Sequence, residues 1–237
     1  MKKFYPFGVL LACVSHASAA TLINGSFEFP GIADDSFDRV HEEDVVGWET
    51  SDSSGNIEVW RELYRNVPAY RGNQFVEINA TENAALFQDV NITEFGAVNY
   101  GFAHRGREGT DVMRVDIIYA GPNGVIDTPD SNMVNLMTNT IVLGGDDLII
   151  VDGSLSANQY SATENAWEQH SISALFNADS NSVGIYRFSY AAVSSSNNNP
   201  GEGNFIDDVY FGVNAVPEPS SVMISALGGL ILLRRRR

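Results

Sequence analysis

Short runs in which apolar and polar residues alternate, each closed by Gly, Asn, Asp or Ser, constrain this chain more than any other feature. Phe75-Val76-Glu77-Ile78-Asn79, Tyr100-Gly101-Phe102-Ala103-His104, Met113-Arg114-Val115-Asp116-Ile117 and Tyr186-Arg187-Phe188-Ser189-Tyr190 have the two-residue period of half-buried strands. Helical periodicity is scarce. Only Glu164 to Phe176 has room for a helical turn or two, and its spacing is poor. The apolar stretch from Ile141 to Val151 reads as a buried strand or pair of strands around a Gly144-Gly145-Asp146-Asp147 turn. Loops are expected at Ser194 to Gly201 and around 121 to 132. No internal repeat stands out. The expected fold is all-β, an antiparallel sandwich.

The two ends of the chain differ from its middle. Lys2 and Lys3, the apolar run from Phe4 to Val14 and the small residues Ala17-Ser18-Ala19-Ala20 form a secretory signal, with cleavage expected near Ala19 or Ala20. The apolar run has 11 residues, too few to span a bilayer, which takes about 18 or more. A second reading takes Leu10-Leu11-Ala12-Cys13 as a loose lipobox. The short apolar run before it, the unusual Leu11 and the better cleavage site that follows weigh against it. At the other end, Pro217-Glu218-Pro219 is followed by an apolar segment from Val222 to Leu233 and then by Arg234 to Arg237. Four arginines would hold the last residues on the cytoplasmic side while the apolar segment waits in the bilayer. That segment has 12 residues and is short for a permanent span. This order of Pro-Glu-Pro, hydrophobic helix and basic end resembles the PEP-CTERM sorting signal. The resemblance implies transient membrane anchoring, cleavage by an exosortase and transfer to the cell surface or to an extracellular polymer, with the secretion machinery as a partner. A weak tail anchor is the alternative. The expected division is therefore a signal helix at 1–20, a β-rich domain at 21–214 and a sorting tail with a short hydrophobic helix at 215–237.

Setting aside Lys2, Lys3 and Arg234 to Arg237 leaves eight basic residues, all arginines. Setting aside Glu218 leaves 29 acidic ones, a formal charge of −21. Such a surface repels phosphate backbones, which argues against a nucleic-acid partner and for solubility, cation binding or neutral ligands. The middle of the chain has no cysteine, so neither a disulfide frame nor thiol chemistry is available to it.

Several pieces of the middle follow a familiar order. They are Asn24-Gly25-Ser26-Phe27-Glu28, Gly47-Trp48, Ile57-Glu58-Val59-Trp60, Gly72 to Ala80, Gln88-Asp89, His104 to Gly109 with Asp111-Val112-Met113, and Gly203-Asn204-Phe205-Ile206-Asp207-Asp208-Val209. Together they resemble a galactose-binding-like jelly-roll β-sandwich, related in layout to some carbohydrate-binding modules. The stretch from 120 to 165 departs from that pattern and is longer than the usual connection. The resemblance implies a binding role without naming a ligand.

Alternation puts Phe205, Asp207, Val209 and Phe211 on one face of the last strand, where an inward carboxylate needs a partner. A structural Ca²⁺ would supply one. Glu28 and a carbonyl near Asn24 are the family-like co-ligands, and Asp208 would join if the strand end bulges. Hydrogen bonds from backbone amides or an arginine are the alternative. His104, Arg105 and Arg107 close a strand at a glycine-rich turn, where arginine forks can grip a sugar or uronate while Trp48 or Trp60 offers a flat apolar surface. The competing reading pairs the arginines with Glu58, Glu77 or Asp111 and packs both tryptophans in the core.

No catalytic template is present: neither a G-x-S-x-G elbow, nor H-E-x-x-H, nor a P-loop, nor a cysteine nucleophile. His41, His104 and His170 lack metal-ligand spacing. Among 29 acids a chance pair at glycosidase spacing is expected, so Glu58 and Glu77 are not promoted to acid and base. The expectation is an exported, noncatalytic surface module that binds carbohydrate or exopolysaccharide. A purely structural matrix protein is the second reading and a glycoside hydrolase the third.

Overall fold

A computed structural model describes residues 22–120, 124–126, 132–135, 140–143, 151–152, 155–156, 159–162 and 164–213, the last apart from 165, 179, 181–182 and 197. The expected signal with Cys13, the sorting tail with Pro217, Glu218 and Pro219, and the turn at 144–147 lie outside these residues.

The strands are β1 (Phe37–His41), β2 (Glu49–Thr50), β3 (Asn56–Arg61), β4 (Gln74–Glu77), β5 (Ala85–Ile92), β6 (Gly96–Arg105), β7 (Asp111–Tyr119), β8 (Asn132–Asn135), β9 (Thr140–Leu143), β10 (Val151–Asp152), β11 (Leu155–Ser156), β12 (Gln159–Ala162), β13 (Glu168–Ala178), β14 (Gly184–Ser194) and β15 (Phe205–Val213). One sheet has the order β1-β3-β4-β15-β6-β13. The other has β2-β5-β14-β7-β8-β9, with β12 also on β7. The described pairings are antiparallel, and the two sheets pack as the expected all-β sandwich. Each of the four runs singled out by alternation lies in or overlaps a strand, β4, β6, β7 or β14. The stretch with room for a helical turn is instead largely the long strand β13, because β6 offers it a backbone ladder that weak local preference does not oppose.

Between the sheets lies one apolar core. Val98, Tyr100 and Phe102 of β6 meet Tyr186, Phe188 and Tyr190 of β14 across it, with Met113, Val115 and Ile117 of β7 beside them. The Phe188 and Phe211 rings stack with centroids 4.8 Å apart. Each such ring, fully buried, contributes about 1.5–3 kcal/mol.

The last strand does not keep one face inward, contrary to the alternation read from the sequence. Phe205 packs with Trp60 and Phe75 on the side of the sheet away from this core, whereas Ile206, Val209, Phe211 and Val213 belong to the core. The cause is a bulge: the register against β6 shifts between Asp207 and Tyr210, and Asp208 takes a positive φ of 47°. Asp207 therefore lies on the outer side of the sheet, yet it is fully buried.

Beyond the short β4, the entry segment flanks β15. Leu22 N donates to Phe211 O at 2.9 Å and Val209 N to Gly25 O at 2.8 Å. A Cβ at position 25 would overlap the Val209 carbonyl, so only glycine permits this approach.

Candidate functional site

On the outer side of the first sheet, register turns sequence into rows of side chains. Arg39, Glu58, Glu77, Phe205 and Arg105 stand side by side across β1, β3, β4, β15 and β6. In the neighbouring row, Phe37, Trp60 and Phe75 cross β1, β3 and β4. Trp60, Phe75 and Phe205 form a second, small apolar cluster, with Trp60 and Phe205 centroids 4.9 Å apart. Tyr64, Val67, Ala69 and Trp167 close over it.

Charges are buried in this layer. Glu58 and Glu77 are each 1% exposed and face each other in register across β3 and β4. Arg39 Nε reaches Glu58 Oε2 at 2.9 Å, and Trp60 Nε1 donates to Glu58 Oε1 at 2.9 Å. Arg107 Nη1 donates to both oxygens of Glu77, at 3.0 and 2.9 Å, while its guanidinium lies 5.0 Å from the Trp60 ring centre. Burial and then the Glu58 charge push the Glu77 carboxyl well above its ordinary range, and Arg107 pulls it back only in part. Both carboxylates lie beneath Arg107 and Trp60.

The segment between β3 and β4 crosses this layer and is strained. Leu63, Arg65 and Asn66 all have positive φ, 64°, 50° and 63°. Each such non-glycine residue costs on the order of 1–3 kcal/mol, and strain of this kind collects where surrounding contacts enforce a particular presentation. Here it sets Tyr64 against Trp60, with centroids 5.2 Å apart, and holds the exposed Arg65 guanidinium 5.6 Å from the Tyr64 ring and 6.0 Å from Trp60. Tyr70 and Phe37 are 38% and 37% exposed. Tyr70 meets Trp167 edge-on at 6.2 Å, and Trp167 Nε1 donates to Pro68 O at 2.8 Å.

The ligand residues expected from sequence separate. Trp60, Arg105 and Arg107 lie on the outer layer, but Trp60 is 1% exposed and Arg107 is committed to Glu77. Trp48 is in the main core with Nε1 on Asn24 O at 3.1 Å, so its ring has no free face. His104 also lies inside, with Nε2 3.0 Å from Asn204 Oδ1, and burial holds its pKa down at about 3. Arg105 has a buried Nε with no hydrogen-bond partner. Phe37, Tyr64, Arg65, Tyr70 and Trp167 are additions from the structure. The arginine-aromatic doublets Tyr64-Arg65 and Tyr70-Arg71 were the available signal for two of these sites.

Glu28 and Asp207 converge on one loop. Glu28 Oε1 accepts from Asn73 N at 2.7 Å and Gln74 N at 3.0 Å, and Asp207 Oδ2 accepts from Arg71 N at 2.8 Å. Burial pushes the Asp207 pKa up to about 7, against the amides of Arg71, Asp208 and Tyr70. Asp208 does sit at a bulge, where it pairs with Arg71 at 2.9 Å. The Asn24 side chain donates to Phe29 O and Val46 O. Among the described residues, no group of three or more His, Cys, Asp or Glu is placed to hold a metal.

Residues 215–237 match the PEP-CTERM protein-sorting motif. No curated protein matches the chain. Among solved structures, a CBM22-2 xylan-binding domain from Paenibacillus barcinonensis Xyn10C is similar at 9% identity and a TM-score of 0.44, over 76% of this chain and 99% of that one. The C-terminal family 22 carbohydrate-binding module of Clostridium thermocellum Xyn10B gives 12% and 0.42, over 81% and 96%. TmCBM61, solved with β-1,4-galactotriose, gives 14% and 0.40, over 71% and 90%. Likeness at this level says nothing about what this chain binds.

Removing one partner of the Arg107–Glu77 pair leaves a buried charge uncompensated. Arg107→Met is expected to destabilise the domain by about 3–5 kcal/mol in urea unfolding, and adding Glu77→Gln should restore part of that loss. A double variant no more stable than the single one would show that the pair is not the source of the effect.

Proposed function

We propose that this chain is an exported, noncatalytic carbohydrate-binding protein whose ligand lies across the outer side of the first sheet. One observation carries the reading: Phe37, Tyr64, Tyr70 and Trp167 ring a filled apolar layer and leave two rings more than a third exposed. Aromatic rings held rigidly by their neighbours stack on the apolar faces of sugars at little entropic cost. A purely structural matrix role would leave those rings without a partner. Export rests on the sorting motif at 215–237. Its handling by an exosortase, with the apolar segment in the membrane until cleavage, belongs to the same proposal.

We also propose one structural calcium at Glu28 and Asp207. Their hard oxygens meet the same loop from the first and last segments of the domain, which suits an ion that takes six to eight oxygens. Backbone carbonyls and water would complete its shell, since Asn24 and Asp208 side chains are engaged elsewhere. The ion would hold Asp207 ionised, tie entry to exit and relieve self-repulsion in a domain of charge −21.

Three measurements test these points. On polysaccharide affinity gels, the purified domain should be retarded by at least one polymer, and Tyr64→Ala with Trp167→Ala should abolish the retardation; no retention on any polymer favours the structural reading. Mass spectrometry of surface material should find a terminus near Pro217 to Pro219, and an intact Arg237 end excludes the cleavage. Excess calcium should raise Tm by several degrees, from about 2.7 kcal/mol at a hundredfold excess over Kd and roughly 2–4 °C per kcal/mol. In chelator, the raised pKa of Asp207 means that its stability is present in acid and lost as pH rises from about 4 through about 7. Asp207→Asn should remove both dependences, and an unmoved melting curve with no bound metal would leave Asp207 a proton-bearing acid.

A further inference from the structure

The arginines of this acidic domain are not spread evenly. Of the eight between residues 21 and 213, five belong to the outer layer of the first sheet or to the loop that crosses it: Arg39, Arg65, Arg71, Arg105 and Arg107. Three of these five are spoken for by carboxylates, Arg39 by Glu58, Arg71 by Asp208 and Arg107 by Glu77. Arg65 and Arg105 have no ion-pair partner within 4.0 Å among the described residues. Arg65 is exposed, held over Tyr64 by its ring face, and presented by a backbone that is strained on both sides of Tyr64. Arg105 stands in the row beside Phe205, its Nε buried and without a hydrogen-bond partner.

Internal pairing does not account for the Arg65 guanidinium, and it reaches Arg105 only through the charge of Glu164, although acids outnumber arginines more than threefold. A neutral sugar would accept hydrogen bonds from them but would leave their charge unanswered. A carboxylate answers that charge: the planar fork of arginine binds the carboxylate through two parallel hydrogen bonds, and the surrounding rings hold the sugar that bears it. Arg65 lies over β3 and Arg105 on β6, three strand spacings away, roughly 14 Å. That separation suits repeated carboxylates along an extended chain.

We propose that the ligand of this surface is an anionic polysaccharide, a polymer of uronate type, with Arg65 and Arg105 as its carboxylate contacts. The inference rests on the carbohydrate reading above and adds the charge of the polymer. It also places the site at the two arginines of this acidic domain that no carboxylate within 4.0 Å answers among the described residues.

The test uses the full chain in chelator, with polygalacturonate and the same polymer after carboxyl reduction, which removes charge and keeps the backbone. Retention on polygalacturonate should exceed that on the reduced polymer by about tenfold, and Arg65→Gln should remove about that much. Arg114→Gln, on the other sheet, should change nothing, and Arg65→Gln should melt like the parent because its side chain is exposed. Equal retention of both polymers, unaffected by Arg65→Gln, would overturn the inference and leave the carbohydrate reading standing. Retention of neither, nor of any other polysaccharide, would remove both. Retention of polygalacturonate that appears only with calcium added would mean the ion bridges two acidic partners, and the arginine contacts would be excluded.

Discussion

The bulge at Asp208 is the constraint on which the rest of this domain depends. Before it, β15 gives Phe205 and Asp207 to the outer layer; after it, the strand gives Val209, Phe211 and Val213 to the core. One strand thereby serves two hydrophobic clusters that lie on opposite sides of its sheet. Without the extra residue, either the outer layer would lose Phe205 or the core would lose Phe211. The same bulge turns Asp208 outward to Arg71 and leaves Asp207 under the loop that also receives Glu28.

Electrostatics divide along the same line. The core between the sheets is largely apolar and aromatic, and burial there holds the His104 pKa down at about 3. The outer layer instead buries charge in pairs. Glu58 with Arg39 and Glu77 with Arg107 are costly to desolvate, and burial of such pairs seldom raises stability over an apolar filling. Their effect here is positional. They fix Trp60 beneath Arg107, and that fixed ring is the base on which Tyr64 and Arg65 rest.

Much of this was legible in the residues. Alternation located β4, β6, β7 and β14, and the ordered pieces from Asn24 to Asp208 announced a sandwich. The structure also pairs Arg107 with Glu77, one of the acids named for it, and buries both tryptophans. Other features were hidden for physical reasons. Asp207-Asp208 reads the same in either register, so the face change could not be seen. Gly47-Trp48 and Val59-Trp60 look alike in sequence, yet strand pairing sends one ring inward and the other outward. Tyr64, Val67 and Ala69 follow no period because an irregular segment carries them, and their role as a cover exists only once β3 and β4 are side by side. His104 looked like a surface residue at a turn, but its strand continues inward for its whole length.

The pairing of the entry segment with the exit strand has a mechanical side. In its exit half, β15 is flanked by β6 along one edge and by residues 22 to 25 along the other, and Val213 leads directly toward the sorting motif. Tension on a tethered C-terminus would therefore be drawn along a strand held on both edges, and backbone hydrogen bonds loaded along a strand must yield together, whereas those of a peeled edge yield singly. Residues 22 to 25 thus act as a clasp on β15, and a pull at the C-terminal side of the domain is resisted by a segment from its N-terminal side.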